Sequence, residues 1–176
     1  MIERVRALIR NERGLTLAEI LAAVAVIGIG LVGLAVVIPI ASYGLQEGNQ
    51  LSTATFLAEQ RLEQVKNAVW QASAPTNDCI GVSANATAAP TVPYAGGDSC
   101  NGAAATTFPD EANVPGYTGY ARNVRVTDCG VGAGCGLVVH SDMRLVTVTV
   151  TYRPLTAAGQ TTTNKSAVVS LLVAKR

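Results

Sequence analysis

The sequence predicts an α+β fold in which one long N-terminal helix, half apolar and half amphipathic, packs on a small antiparallel sheet. An uncharged apolar run extends from Ile20 to Ala41, and apolar residues then recur with helical spacing from Leu51 to Val69. From Tyr117 onward the apolar residues alternate with a period of two, which is typical of strands. The chain of 176 residues has room for one globular domain beside such a helix.

Residues 1–14 are short, polar and basic, and we interpret them as a leader that is removed rather than as part of the fold. Their charged side chains are Arg4, Arg6, Arg10, Arg13, Glu3 and Glu12. By the positive-inside rule this end stays in the cytoplasm, so the chain after Tyr43 lies across the membrane. The formal net charge of the chain is only +1, and the composition has no basic footprint of nucleic-acid binding.

Residues 15–41 form the predicted membrane and assembly helix, since about 20 apolar residues suffice to cross a bilayer. Glu19 is the only charge in this segment. An acidic side chain at the head of a membrane helix is costly and is a functional hypothesis when a partner can be named. Cleavage after Gly14 would supply that partner, because the new α-amino group on Leu15 would lie four residues before Glu19.

The segment Gly14-Leu15-Thr16-Leu17-Ala18-Glu19 resembles the class III signal of type IV prepilins and type II secretion pseudopilins. The resemblance implies that a prepilin peptidase cuts after Gly14 and methylates the new N-terminus on Leu15. It also implies that Glu19 pairs with the N-terminus of a neighbouring subunit during filament assembly. The family usually has phenylalanine at the position of Leu15, and this chain departs from the pattern there.

Two other interpretations of the apolar run are weaker. A secretory signal peptide places a small-residue cleavage site after the apolar segment, and the stretch from Ile38 to Gly44 offers only a poor one. A plain single-pass anchor explains the run equally well, but it gives no reason for Gly14 or Glu19.

Residues 42–72 are predicted to continue the helix as an amphipathic segment. This segment is expected to pack on the globular head, the domain formed by the rest of the chain. The predicted apolar stripe consists of Leu51, Ala54, Ala58, Leu62, Val65 and Val69. Polar and charged side chains occupy the other faces. Pro39 lacks a backbone donor and is expected to kink or loosen the helix between its two halves. The two halves together match the lollipop shape that the resemblance to pilins implies.

Residues 73–116 lack a sustained period and predict a long irregular connection, which the resemblance identifies as the variable loop region of pilins. Four cysteines allow three pairings. We favour the sequential one, Cys79 with Cys100 and Cys129 with Cys135, because the glycine-rich stretch between the last two is a short flexible loop. A metal site is the competing interpretation, but no pair has Cys-x-x-Cys spacing and the only histidine is His140.

Residues 117–176 are predicted to form the antiparallel sheet of the head, with three or four strands. The predicted strands are Tyr120–Thr127, Arg144–Arg153 and Ser166–Ala174, with Leu137–His140 as a further short strand or a bulged arm. In the middle strand, Val146, Val148 and Val150 alternate with threonines, so the valine face is expected to cover the helix stripe. Pro154–Asn164 is expected to be a hairpin loop containing Gly159.

The sequence contains no recognisable catalytic constellation, and we expect neither enzymatic activity nor a cofactor or metal. His140 stands without a Ser or Cys in a catalytic motif, and the stretch from Gly130 to Gly136 lacks the lysine of a phosphate loop. Asp98, Asp110 and Glu111 fit no calcium-loop spacing, and we interpret them as surface acids.

The resemblance implies a structural subunit, most like a minor pilin that helps to prime or cap a type IV pilus-like filament. The stretches Thr55–Glu63 and Ala167–Val173 are similar to minor pilins and minor pseudopilins. The implied partners are other pilin or pseudopilin subunits, prepilin peptidase, the inner-membrane assembly platform and membrane lipid. The implied location is the bacterial inner membrane with the head in the periplasm, and then the filament. A minor pseudopilin of type II secretion, a major fibre-forming pilin and a filament-associated binding module stay open.

Overall fold

The computed structural model describes residues 16–71, 78–92, 108–156, 159–160 and 162–176. In this part of the chain one long helix precedes a set of antiparallel strands, and the predicted α+β fold class is confirmed. The elements are α1 (Leu17–Asn67), β1 (Val82–Ser83), β2 (Pro90–Thr91), β3 (Tyr120–Asp128), β4 (Met143–Tyr152), β5 (Leu155–Thr156), β6 (Gly159–Gln160) and β7 (Lys165–Ala174).

The chain divides into two compact units between Ser42 and Tyr43. The described part of the first unit is the N-terminal part of α1. The second unit contains the rest of α1 and all the strands. The helix is continuous through Pro39, and three residues later the Ser42 hydroxyl donates a hydrogen bond to the Ile38 carbonyl oxygen at 3.0 Å.

The central sheet has three antiparallel strands in the order β3-β4-β7. In β4, Val146, Val148 and Val150 are fully buried, whereas the intervening threonines are only half-buried. Val124 of β3 lies opposite Val148 and is fully buried as well. The valine face of β4 therefore forms the core, as its alternating pattern predicted.

The amphipathic part of α1 supplies the other side of this core. Ala54, Leu57 and Ala58 are fully buried and belong to one cluster with the valines of the sheet. Leu51 and Val69 were predicted to lie on the buried stripe but are exposed, because they lie outside the stretch of α1 that contains the buried residues. Leu57 was absent from the predicted stripe.

The connections contain little regular structure. In the described part of residues 73–116, the only regular elements are β1 and β2, which pair with each other and are two residues long each. The predicted loop between β4 and β7 contains the two-residue strands β5 and β6. Leu137–His140 is not a strand, because the chain turns at Gly136, where φ is +67°, and pairs only through a bridge between Cys135 and Val138.

Replacing Leu57 by Ala tests the packing of α1 on the sheet. Leu57 is fully buried, so Leu57→Ala is expected to lower the free energy of unfolding by about 2–5 kcal/mol. Its neighbour Phe56 is 53% exposed, so Phe56→Ala is the matched control and is expected to change stability much less. Denaturant unfolding of the detergent-solubilised chain, followed by the fluorescence of the single tryptophan, Trp70, would measure both. Equal losses in the two variants would contradict this packing.

Candidate processing and assembly site

The predicted scissile residues, Gly14 and Leu15, lie outside the described residues, and their role stays a prediction. Thr16 is the first residue that the structure describes, and α1 begins at the next residue, Leu17. Glu19 lies in the first turn of the helix.

Thr16 and Glu19 form a reciprocal capping box at the start of α1. The Thr16 backbone N–H donates to Glu19 Oε2 at 2.9 Å, and the Glu19 backbone N–H lies 3.3 Å from Thr16 Oγ1. The Thr16 hydroxyl also donates to Glu19 Oε2, at 3.0 Å. A threonine at the N-cap with a glutamate three residues later satisfies helix donors that would otherwise have no partner. Glu19 therefore helps to begin the helix.

Only one oxygen of the Glu19 carboxylate takes part in this cap. The hydrogen bonds that described residues donate to the carboxylate all end on Oε2. Among the residues that the structure describes, Oε1 has no hydrogen-bond donor. A carboxylate accepts several hydrogen bonds at once. The cap thus leaves Oε1 of Glu19 available to a cation from outside the described chain.

The helix behind Glu19 presents its apolar side chains outward. Every residue from 17 to 41 is exposed, and the large ones include Leu21, Ile27 and Ile38. The helix is long and apolar enough to cross a membrane. So many apolar side chains without a protein core beneath them require lipid or other helices as their surroundings.

The cysteines lie in the second unit. Cys129 and Cys135 are joined by a disulfide, as the sequential pairing predicted. Cys79 is also disulfide-bonded. Its predicted partner, Cys100, lies outside the described residues, so that half of the pairing stays a prediction.

A buried arginine of β3 joins three parts of the head. Arg122 is 5% exposed and donates from Nη1 to the Leu57 carbonyl oxygen of α1 at 3.1 Å. Its Nε donates to Glu111 Oε2 at 2.7 Å, and the other oxygen of Glu111 forms an ion pair with Arg61 of α1. Burial alone would raise the pKa of Glu111, but the hydrogen bonds from Arg122 and Arg61 outweigh it and hold that pKa below its usual value.

A second arginine, Arg144 of β4, binds the segment before β1. It donates to both carboxylate oxygens of Asp78 at 2.7 Å and stacks on the Trp70 ring, 4.2 Å from its centroid. Asp78 Oδ1 also accepts from the backbone N–H of Gly81 at 2.9 Å. Burial alone would raise the pKa of Asp78, but the bonds from Arg144 and Gly81 lower it overall.

A third arginine, Arg125 of β3, binds Asp110 through two hydrogen bonds of 2.7 and 2.8 Å. Its Nη2 also donates to the Thr87 carbonyl oxygen at 2.8 Å. The hydrogen bonds from Arg125 lower the pKa of Asp110. Two of the three acids considered for a calcium site, Asp110 and Glu111, are thus paired with arginines, and Asp98 lies outside the described residues.

The histidine and the possible metal ligands considered in the sequence form no recognisable site among the described residues. His140 is exposed, and its Nδ1 accepts a hydrogen bond from the Asp142 backbone N–H at 3.1 Å. No group of three or more possible metal ligands occurs among the described residues.

Glu19 was predicted as an assembly contact, but its role in the helix cap was not predicted. The signal was present, because Thr16-Leu17-Ala18-Glu19 has the spacing of a capping box. The arginine pairs were missed as well. Their partners lie far apart along the chain, so no local spacing identifies them.

Comparison with known families agrees with the resemblance. Residues 9–35 match the family model described as the prokaryotic N-terminal methylation motif. The matched residues include Gly14, Leu15 and Glu19 and end within the apolar part of α1. Neither the comparison with curated proteins nor that with solved structures finds a match.

The match defines the class of the protein at its N-terminal end. The chain carries the signature of type IV prepilins and pseudopilins, and this signature supports its membership of that family. The signature and the apolar helix together indicate a membrane-anchored protein of this class.

The arginine pairs predict that the head loses stability in acid. The pKa values of Asp78, Asp110 and Glu111 lie below their usual values in the folded state. A carboxyl group whose pKa is lower in the folded than in the unfolded state stabilises the fold at pH values above its unfolded-state pKa, about 3.9–4.3. This stabilisation is lost as the pH falls through the folded-state pKa. The free energy of unfolding is therefore expected to fall below about pH 4, measured by denaturant titration from pH 7 to pH 3.

Asp78→Asn is the matched variant for this test. The amide does not titrate in this range, so the variant is expected to show a smaller loss of stability between pH 5 and pH 3 than the unchanged chain. A free energy of unfolding that stays constant down to pH 3 in the unchanged chain would contradict the arginine pairing.

Proposed function

We propose that this protein is a structural subunit, a minor pilin, of a type IV pilus-like filament, and that it helps to prime or cap filament assembly. The observation that carries the proposal is the position of Glu19, within the matched motif and at the head of an exposed, uncharged helix. The role is structural rather than catalytic.

The proposed processing follows from the junction before α1. Prepilin peptidase cuts between Gly14 and Leu15 on the cytoplasmic side and methylates the new amino group of Leu15. At neutral pH an α-amino group with an ordinary pKa of about 7.7–8.0 is largely protonated. The mature chain then carries a positive charge four residues before Glu19.

The proposed assembly contact joins this amino group to Glu19 of a neighbouring subunit. Thr16 occupies Oε2 of Glu19, so Oε1 is the oxygen that receives the neighbour's ammonium group. In a bundle of apolar helices such a pair offsets the cost of an isolated carboxylate, and a buried charged pair favours one register of packing. Lipid surrounds the exposed apolar helix before assembly, and neighbouring helices surround it afterwards.

The proposed orientation places the head in the periplasm. Four arginines precede the helix in the leader, which favours a cytoplasmic N-terminus. Cys129 and Cys135 are disulfide-bonded, as is Cys79, and structural disulfides persist in oxidising compartments such as the periplasm. The inner-membrane assembly platform is then the machine that extracts the subunit.

A minor pseudopilin of a type II secretion system is the second candidate, because the same motif supports both classes. A filament-associated binding module is a third. Abundance in sheared surface filaments separates a pilus subunit from a pseudopilin, which would be retained with the secretion machine in the cell envelope.

Intact mass spectrometry tests the processing step. Protein extracted from the native membrane is expected to lack residues 1–14 and to carry one added methyl group. An uncleaved chain in cells with an active prepilin peptidase would mean a plain anchor, and the filament proposal would fall.

Three variants separate the charge of Glu19 from its role in the helix cap. Glu19→Gln keeps a side chain that can complete a capping box but removes the charge. Thr16→Ala removes the N-cap, which costs about 1 kcal/mol of helix stability, but keeps the charge. If the charge is needed for assembly, Glu19→Gln is expected to reduce incorporation into filaments as strongly as Glu19→Ala does, and Thr16→Ala less strongly.

Incorporation is measured as the ratio of variant subunit in sheared filaments to that in the membrane. Mass spectrometry of the membrane fraction controls for normal cleavage of each variant. Wild-type incorporation of Glu19→Gln would refute the pairing with a neighbouring amino group and would leave Glu19 with a capping role alone.

A further inference from the structure

The second edge of β7 is open in the described chain. β7 pairs with β4 over all of its ten residues, and no described strand pairs with its other edge. A strand at the edge of a sheet presents a row of backbone N–H and C=O groups that can pair with another chain. β7 is longer than the usual strand of five or six residues.

The opposite edge of the sheet, along β3, is covered. Glu111 and Arg122 exchange two backbone hydrogen bonds of 2.8 Å, and the Val114 backbone N–H donates to the Tyr120 carbonyl oxygen at 2.9 Å. Further along β3, the Val126 backbone N–H donates to the Ser83 hydroxyl at 3.0 Å. The chain thus blocks one edge of its sheet with its own loops. Along β7 itself the other edge is unblocked within the described residues, and it is closed just beyond the strand, where the Arg176 backbone N–H donates to the Trp70 carbonyl oxygen at 2.9 Å.

Apolar side chains line both faces of the open edge. On the face toward the core, Val169 and Leu171 are only half-buried, although Val148 and Val146, opposite them in β4, are fully buried. On the other face, Val168 is 58% exposed and Leu172 is 40% exposed. One further strand beside β7 would cover apolar side chains on both faces.

Two basic residues follow the uncharged strand at one end of this edge. Residues 166–174 are uncharged, and Lys175 and Arg176 follow them. A cavity of about 300 Å³ lies at this end, lined by Leu171, Leu172, Val173, Ala174, Lys66, Lys175 and Arg176. Lys66 is paired with Glu63, but Lys175 has no acidic partner in the described part of the chain.

We propose that the outer edge of β7 binds an extended segment of a different protein as a fourth strand of the sheet. The bound segment alternates small apolar side chains and carries acidic residues at the end that meets Lys175 and Arg176. Backbone hydrogen bonds supply the affinity, and the two basic residues determine which end of the segment lies beside the cavity. This binding surface lies in the second unit of the chain and does not depend on the filament role of α1.

A second copy of β7 is a poor occupant of the same edge. In-register antiparallel pairing would place Lys175 beside Lys165 of the other copy, and Glu47 already pairs with Lys165. Parallel pairing would place Lys175 beside its own equivalent. Like charges placed opposite each other destabilise strand pairing, and lysines at sheet edges oppose self-association. The charges therefore favour a partner with acidic residues.

Synthetic peptides test the proposal on the detergent-solubilised full chain. The probes are fluorescent decapeptides of alternating valine and threonine with a glutamate pair at the amino end or at the carboxyl end. Matched peptides carry a lysine pair instead, and a backbone-methylated copy of each cannot form the strand hydrogen bonds. Fluorescence anisotropy is expected to show binding of one glutamate peptide, about tenfold weaker binding of its lysine counterpart, and no binding of the methylated copy.

Variants locate the binding at the edge. Val168→Lys and Leu172→Lys are expected to abolish binding, whereas Val131→Lys, at a 70% exposed apolar residue outside β7, leaves it unchanged. Exchanging Lys175 and Arg176 for Glu is expected to reverse the preference toward the lysine peptide. The fluorescence of Trp70 during unfolding confirms that each variant is folded.

Three results would overturn the proposal. The first is the absence of binding by either glutamate peptide, and the second is equal binding of glutamate and lysine peptides. The third is an equal loss of binding in Val131→Lys and Val168→Lys, which would indicate non-specific adhesion to apolar surface.

Discussion

The long helix, the loop before β3 and the sheet are joined by one buried cation, Arg122. A buried guanidinium is costly unless its donors are satisfied and its charge is balanced. Here the Leu57 carbonyl oxygen of α1 accepts a hydrogen bond from the Arg122 guanidinium. Glu111, from the loop before β3, balances the positive charge of that guanidinium. Because Glu111 also contacts Arg61 of α1, the same acid holds the loop against the helix. Helix, loop and sheet are thus joined at one point, and the apolar core around Val148 closes beside it.

Periodicity in the sequence was sufficient to predict the long helix, the three long strands and the buried face of β4. The three long strands agree with their predicted ranges to within one residue at each end, because β4 and its neighbours alternate strictly between core and surface. The disulfide between Cys129 and Cys135 was also predictable, since only five residues, three of them glycines, lie between the two cysteines. The burial of Leu57 in place of Leu51 was not predictable, because it depends on where the sheet lies along the helix. The pairs of Arg122, Arg125 and Arg144 depend on contacts between distant parts of the chain.

The candidate site shows the same difference between local and distant contacts. The capping of the helix by Thr16 and Glu19 can be predicted from four consecutive residues, whereas a contact with another subunit cannot.

The two units of the chain differ in how their polar groups are satisfied. In the head, buried charges find partners within the same chain, as Asp78 does with Arg144 and Gly81. In the N-terminal part of α1, Glu19 is the only charge between residues 16 and 46, and among the described residues it accepts hydrogen bonds on one oxygen only. The charges of these clusters are thus paired within the head, although Nε of Arg61 and of Arg144 is buried without a hydrogen-bond partner among the described residues. The helix keeps one carboxylate oxygen whose partner comes from outside the described chain.

The half-satisfied carboxylate has a consequence for a subunit that waits in the membrane. A carboxylate without any hydrogen-bond donor is costly in a membrane. The bond from the Thr16 backbone lowers that cost before any neighbour arrives. In the proposed assembly contact, the neighbour's amino group meets a carboxylate that already has one oxygen satisfied, and the free energy gained by the pairing is correspondingly smaller.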